Sequence, residues 1–271
     1  MDAFCHIGVI RMDTAKRASN IILGHVKAGS TFDTLPDDLC PLTRAEGYAI
    51  QSHIEDHGQP RLGWKIAATS IAGQKHINVD GPLAGRLMAD MVHPDGATVP
   101  FANNRMRVAE AEFVFDFATD LPPRSAPYTQ QDVMAAVGDL YLGIEIPDSR
   151  FADFVSVGGA QLIADNACAN HFVLGPKAPK IWRDIDLAQH TATAEVIGKH
   201  VAHGIGSNVL DDPRIALTWI VNEVTALGIT LHAGEFVTTG TCIVPIEIDA
   251  GDHIVANFGQ LGSVRCSLSQ G

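Results

Sequence analysis

The sequence predicts an α+β chain built on a curled, mixed β-sheet, preceded by a short helical segment. Three observations carry that expectation. Strand-like runs recur along the chain and crowd its C-terminal part, where glycines at 234, 240, 251, 259 and 262 punctuate them. Helical patterns are few. No regular strand–helix alternation and no glycine-rich nucleotide fingerprint points to a wound parallel sheet. With 271 residues, 46% of them hydrophobic and 18% charged, the chain has ample material for a core.

The elements follow in order. Residues 13–27 carry Ala18, Ile21, Ile22 and Val26 at helical spacing, with Asp13 to cap and Gly29 to stop. Residues 30–40 are rich in turn formers. Thr43-Arg44-Ala45-Glu46 is a capping box opening a second helix that should run to about Asp56, ended by Gly58 and Pro60. These two helices define an N-terminal segment, 1–60, apart from a sheet domain, 61–271. A strand is expected over 63–69, and another over 108–115. A helix starts at Thr129 and carries Val133, Val137 and Leu140, leading into a strand over 142–147. Asp148-Ser149-Arg150 reads as a local ion pair at that strand's end. Residues 172–174 and 191–197 are strand-like. Asp212-Pro213 opens a helix that ends at Gly228. Residues 235–239, 242–248, 253–258 and 264–268 complete the β-structure.

Two of these strands hold acids among hydrophobes. In Val108-Ala109-Glu110-Ala111-Glu112-Phe113-Val114-Phe115, alternation puts Glu110 and Glu112 on one face and the alanines and phenylalanines on the other. In Leu142-Gly143-Ile144-Glu145-Ile146, Glu145 stands opposite the leucine and isoleucines. Carboxylates side by side in apolar surroundings are costly without a cation between them. If the strands are neighbours, the three can meet on one divalent ion, and an all-oxygen set suits Mg²⁺ or Mn²⁺. The alternative is a half-wet acidic face. Lys65, within Gly63-Trp64-Lys65-Ile66-Ala67, is either an edge lysine with its head in water or a proton-transfer group near a charge. Asp90 alone reads as a turn or cap residue.

Composition narrows the rest. Net charge −12 without a Lys/Arg cluster argues against a nucleic-acid partner. No run approaches a membrane span, and Met1 to His6 does not open a signal peptide. Five cysteines, at 5, 40, 168, 242 and 266, show no paired spacing, which favours free thiols and a cytoplasmic location. The twelve histidines form no HExxH. An acidic chain with few basic residues more often handles small molecules, and composition goes no further.

Several motifs then resemble, in order, the 2-keto-4-pentenoate hydratase and 2-oxo-3-hexenedioate decarboxylase branch of the fumarylacetoacetate hydrolase superfamily. They are Gly47-Tyr48-Ala49-Ile50-Gln51, Gly63-Trp64-Lys65-Ile66, Thr69-Ser70, Ala89-Asp90-Met91, Ala109-Glu110-Ala111-Glu112, Ile144-Glu145-Ile146-Pro147-Asp148-Ser149-Arg150, Ala164-Asp165-Asn166-Ala167 and Phe258-Gly259-Gln260-Leu261-Gly262-Ser263-Val264. The resemblance covers nearly the whole chain. It implies a rolled mixed sheet with helices outside, a metal site at Glu110, Glu112 and Glu145, and a homo-oligomer that can assemble with a companion catabolic enzyme.

The implied activity is hydration of a 2-hydroxy-2,4-dienoate to a 4-hydroxy-2-oxo acid, with the metal as Lewis acid. Lys65 is assigned there as charged donor or proton-transfer group and Asp90 as second acid/base, with Thr69, Asn166, Cys168 and Thr241 on the pocket wall. Decarboxylation of 2-oxo-3-hexenedioate is the alternative chemistry, and a catalytically silent partner subunit the alternative class. The superfamily's C–C bond hydrolases resemble the chain less, since they usually carry an aspartate where it has Glu145. Cys168, residues 71–87 and Thr241-Cys242-Ile243 depart from the branch pattern, and these are segments that would shape substrate choice.

Overall fold

The computed structural model describes residues 12–57 and 59–270. Two helices, α1 (Met12–Ala28) and α2 (Arg44–Ser52), come first. The capping box on α2 forms as expected, with Thr43 and Glu46 satisfying each other's backbone N–H. The α-helix stops at Ser52 and tightens into a 3₁₀ turn over His53–His57. Gly58, expected to help end it, and Cys5 lie outside the described residues.

The main sheet gathers β1 (Arg61–Ala67), β2 (Leu83–Met88), β3 (Val92–Pro94), β5 (Val108–Phe117), β6 (Val137–Ile146), β7 (His171–Lys177) and β10 (Phe236–Thr241). Their order is β2-β1-β10-β5-β6-β7-β3, with β11 (Ile246–Glu247) pairing beside β5. A second sheet runs β4-β13-β12-β8-β9, from β4 (Thr98–Val99), β8 (Thr191–Val196), β9 (His200–Ile205), β12 (His253–Asn257) and β13 (Ser263–Leu268). Both are mixed: β1–β10, β3–β7 and β4–β13 are parallel, the other pairs antiparallel.

The alternation read in β5 and β6 is what joins the layers. Ala111, Phe113, Phe115, Leu142 and Ile144 face one continuous core, together with Ala194, Ile254 and Val264 of the second sheet. The opposite face carries Val114, Phe172 and Phe236. Gly175 permits a close approach of the sheets, since a Cβ there would stand 2.6 Å from that of Val264. α3 (Ile71–His76), α4 (Gln130–Ala136), α5 (Gly159–Ala164) and α6 (Pro213–Ala226) fill the connections.

Residues 12–57 are tied to the sheet region by shared burial. Ala18, Ile22, Leu35 and Ile50 form a cluster with Phe151 and Ala164, and Tyr48 belongs to the main core. Gln51 donates to Ala84 O and Ile163 O, both at 2.9 Å. A division near residue 60 is thus one of chain topology.

Some expectations fail. Val137 and Leu140 are not on the helix begun at Thr129: α4 ends at Ala136, and Val137, the first residue of β6, already pairs with Phe117 of β5. Their spacing from Val133 fits a helical turn, but the run from Val137 to Ile146 completes a ten-residue strand against β5. Of residues 242–248, only Ile246–Glu247 form a strand; Pro245, which lacks an N–H, lies in the loop before it. The hairpin arm β9 was not anticipated. It follows a turn at Gly198, whose φ is +78°. The Asp148–Arg150 pair does not form: Arg150 binds Asp165, while Asp148 accepts from the backbone N–H groups of Arg105 and Met106.

Candidate metal centre

Glu110 on β5 stands directly opposite Glu145 on β6, and Glu112 shares their face two residues on. One carboxylate oxygen from each lies within 4.8 Å of the other two. Glu112 and Glu145 have no exposure, and Glu110 is half-buried. Like charges facing across a ladder repel. Burial, then the charge of Glu145, pushes the Glu110 carboxyl up to about 7 and that of Glu112 well above the carboxylate range.

The neighbouring strand shapes the site. β10 loses register with β5 between Thr238 and Thr241, a bulge that includes Gly240 at φ +104°. The Gly240 N–H donates to Glu112 Oε2 at 2.8 Å, and the Thr238 hydroxyl donates to the same oxygen. Glu112 Oε1 and Glu145 Oε2 are left buried without a hydrogen-bond partner.

Lys65, on β1 beyond β10, supplies the cation of the group. It is 2% exposed, its Nζ 2.8 Å from Glu145 Oε1. That contact has ion-pair distance but not hydrogen-bond angle, so Oε1 too lacks a hydrogen-bond donor. Nζ does donate to Ala167 O at 3.0 Å. Burial works against the Lys65 charge, but Glu145 and Glu110 outweigh it and its pKa rises. Gly85, paired with Lys65 across β2, gives the lysine stem room; a Cβ there would come within 3.0 Å of Lys65 Cδ and collide with Asn166 O.

The Ala167 carbonyl is held by an unusual turn. Asn166, Ala167 and Cys168 all have left-handed φ, between 51° and 61°, a conformation non-glycine residues adopt at a cost the surroundings must cover. Arg150 does much of this, donating to Asp165 Oδ1 (2.5 Å), Asp165 O (2.5 Å) and Ala169 O (3.1 Å). The Asn166 side chain accepts from Arg86 N at 2.7 Å and donates to Arg86 O at 2.8 Å, fastening the turn to β2.

Buried orphan carboxylate oxygens, crowded like charges and an all-oxygen donor set together fit a divalent cation held by Glu110, Glu112 and Glu145. The group opens onto a cavity of about 530 Å³. Thr69, Cys168 and Thr241 line it with Lys65 and Glu110. Burial pushes the Cys168 thiol up to about 12, so it is neutral. Asn166 does not line this cavity, its amide being spent on Arg86. Asp90 is not brought to the glutamates either. It is exposed just after β2 and lines a separate cavity of about 330 Å³ with His171 and Gln59. Thr238, Gly240 and the Arg150–Asp165 clamp were missed. Their available signals were a glycine closing an apolar run and the Asp165-Asn166-Ala167 motif.

The chain is 34% identical over 238 residues to a 2-keto-4-pentenoate hydratase of Burkholderia vietnamiensis, covering 86% of this chain and 89% of the relative. It is 29% identical over 232 residues to a 4-oxalocrotonate decarboxylase of Pseudomonas putida, covering 84% and 86%. Among solved structures, 4-oxalocrotonate decarboxylase from Pseudomonas putida G7, complexed with magnesium and adipate, superposes with a TM-score of 0.86 at 25% identity, covering 96% of this chain and 99% of that one. A fumarylpyruvate hydrolase from Pseudomonas aeruginosa, in complex with Mn²⁺ and pyruvate, shares the fold at TM-score 0.59 and 13% identity. No family model matches. By sequence and fold, the chain belongs to the 2-keto-4-pentenoate hydratase and 4-oxalocrotonate decarboxylase branch of the fumarylacetoacetate hydrolase superfamily.

Proposed function

We propose that this protein is a hydro-lyase that adds water to a 2-hydroxy-2,4-dienoate, giving a 4-hydroxy-2-oxo acid, within catabolism of aromatic or related compounds. The observation that carries the reading is the buried triad of glutamates with orphan oxygens, set beside Lys65 at the inner end of a cavity. Its relatives named as hydratases support the choice of reaction.

Glu110, Glu112 and Glu145 would hold Mg²⁺ or Mn²⁺. When bound, the ion supplies Lewis-acid polarisation of the substrate's 2-oxygen. Thr238 and Gly240 fix the Glu112 carboxylate so that its other oxygen stays free. Lys65 is protonated at rest and brings positive charge beside the reacting end of the substrate. An ammonium has three N–H donors; one is spent on Ala167 O, and the Glu145 contact takes up a second direction. The third is available to the substrate, as a hydrogen bond to developing negative charge or a proton in transit. Thr69, Thr241 and the neutral Cys168 form wall and hydrogen-bonding surface. No proton-transfer role is assigned to Asp90, given where it lies.

The free thiols of Cys40, Cys168, Cys242 and Cys266 fit a cytoplasmic enzyme, and the family resemblance supports a homo-oligomer able to assemble with a companion enzyme. The test is loss of the dienol's ultraviolet absorbance with purified protein and Mg²⁺. Activity abolished by EDTA and restored by Mg²⁺ or Mn²⁺ supports the reading; absorbance unchanged across a panel of 2-hydroxydienoates refutes it. The structural match to the decarboxylase supports a second reading, for which CO₂ release from a six-carbon diacid is the mark.

A further inference from the structure

The ammonium of Lys65 donates to Ala167 O, and its stem lies over Gly85, its partner on β2. β2 is the end strand of the main sheet, so its outward backbone groups meet no further strand. Side chains take them instead. Ala84 N donates to the Tyr48 hydroxyl at 3.1 Å, and Ala84 O accepts from Gln51 Nε2 at 2.9 Å. Arg86 N and Arg86 O are both paired with the Asn166 amide. The strand under Lys65 is therefore fixed along its outer edge by two residues of α2 and by the turn that carries the Ala167 carbonyl.

Gln51 joins these parts. Its Nε2 donates a second time, to Ile163 O at 2.9 Å, near the end of α5 and just before Asp165. Its Oε1 accepts from the Arg86 guanidinium. Both amide hydrogens and the carbonyl are thus spent, in a residue 1% exposed. Gly47, one turn earlier on the same face of α2, makes this reach possible: a Cβ there would stand 2.5 Å from Ala160 O of α5. Gln51 does not line the cavity over the glutamates. It lies behind the turn and lines the cavity that also takes in Asp90.

We propose that Gln51 is a positioning residue for Lys65, acting from the N-terminal segment. It fixes the spacing between β2, under the lysine stem, and the end of α5, which leads into the turn whose carbonyl holds Nζ. Without its amide, two buried carbonyls and the Arg86 guanidinium lose a partner, and leaving such groups unpaired is costly enough to move β2 or the turn. A misplacement of about 1 Å, even from a change far from the chemistry, can cost about 10²-fold in rate. α2 is in this way part of the catalytic device, although none of its residues lines the cavity over the glutamates.

Gln51→Met keeps the length of the side chain and removes its donors and acceptor. A double-mutant cycle with Lys65→Met, on the Mg²⁺-loaded protein, tests this role, which rests on the part given to Lys65 in the hydratase reading. In the wild-type background, kcat on a 2-hydroxydienoate should fall by about 10–100-fold, with KM changed much less. Mn²⁺ affinity should be unchanged, because the glutamates stand on β5 and β6. In the Lys65→Met background the same substitution should change kcat by less than about 3-fold, since residues acting as a unit have non-additive effects. Additive losses overturn the proposal, as does wild-type kcat in folded Gln51→Met. Urea unfolding of the same four proteins gives a readout that needs no substrate. The midpoint loss caused by Gln51→Met should be smaller once Lys65 is replaced, and equal losses in the two backgrounds overturn the proposal. If the wild type hydrates no dienoate, the hydratase reading fails, and the unfolding cycle still decides whether Gln51 and Lys65 act as one unit. Should Gln51→Met not fold, Gln51→Asn, which keeps the amide and withdraws it by one methylene, carries the same measurements.

Discussion

Replacing Lys65 by Met keeps the aliphatic stem and removes the ammonium, and the structure gives this change three separable effects. The first is on stability without metal. Lys65 and Glu145 are 2% and 0% exposed, and Nζ and Oε1 are 2.8 Å apart. Truncating one partner of such a pair leaves the other buried and uncompensated, at a cost of about 3–5 kcal/mol. Urea unfolding in EDTA should show this loss. Saturating Mg²⁺ should shrink it, because the ion compensates Glu145 in place of the ammonium. The second effect is on metal binding, which should hold or tighten, since a positive charge so near the glutamates opposes a cation. The third is on chemistry: kcat should fall by about 10²–10⁴-fold, the range for a positioned acid/base group, with KM changed much less. Interactions stronger in the transition state than in the ground state are read in kcat. Near-normal kcat with a raised KM would make Lys65 a carboxylate anchor and refute the catalytic assignment. Weakened metal binding would refute the electrostatic argument.

Further outcomes follow from the same geometry. Gly240→Ala puts a Cβ against the Thr69 side chain at φ +104°; it should cost about 1–3 kcal/mol in stability and weaken Mn²⁺ binding by displacing an N–H from Glu112, both measurable by calorimetry. Arg150→Met leaves Asp165, with no exposure, unpaired, so chemical denaturation should show a loss of about 3–5 kcal/mol. The double variant Arg150→Met/Asp165→Asn should recover part of that loss, because the two positions are coupled. Sedimentation should give a mass that is a multiple of 28.9 kDa; a single-chain mass at working concentration contradicts the oligomer proposal.

Much of the site was legible because strand alternation is a local property. Once Glu110 and Glu112 lay two apart on an apolar strand, and Glu145 was the lone acid on another, only adjacency of the strands remained unknown, and β5 and β6 are adjacent. Lys65 shared that legibility. The support around it did not. The β10 bulge that turns Gly240 N–H onto Glu112 depends on a register fault between strands far apart in sequence. The left-handed turn at Asn166–Cys168 rests on Arg150, whose partner is fifteen residues away and not the adjacent Asp148. Asp90 shows the reverse limit: motif order placed it near the chemistry, while the exposed turn after β2 carries it to another cavity. Helix ends read well where capping chemistry was present, as at Thr43 and Asp212. They read poorly at Val137, where one hydrophobic spacing suits both a helix and a strand.

The central claim is that three buried glutamates form one divalent-metal site, and titration of Mn²⁺ into the metal-free protein and its Glu112→Gln variant tests it most directly. Glutamine nearly preserves volume, and its carbonyl can still accept from Thr238 and Gly240, so the variant should fold. Removing a repelled, buried carboxylate should leave the metal-free protein at least as stable as wild type. Substitutions in the surroundings of a metal ligand cost about 10–100-fold in affinity, so loss of a ligand charge should exceed that. The wild type should bind one ion per chain, and the variant should bind it more than about 10²-fold more weakly. Wild-type affinity in folded Glu112→Gln, or no binding by the wild type, would contradict it.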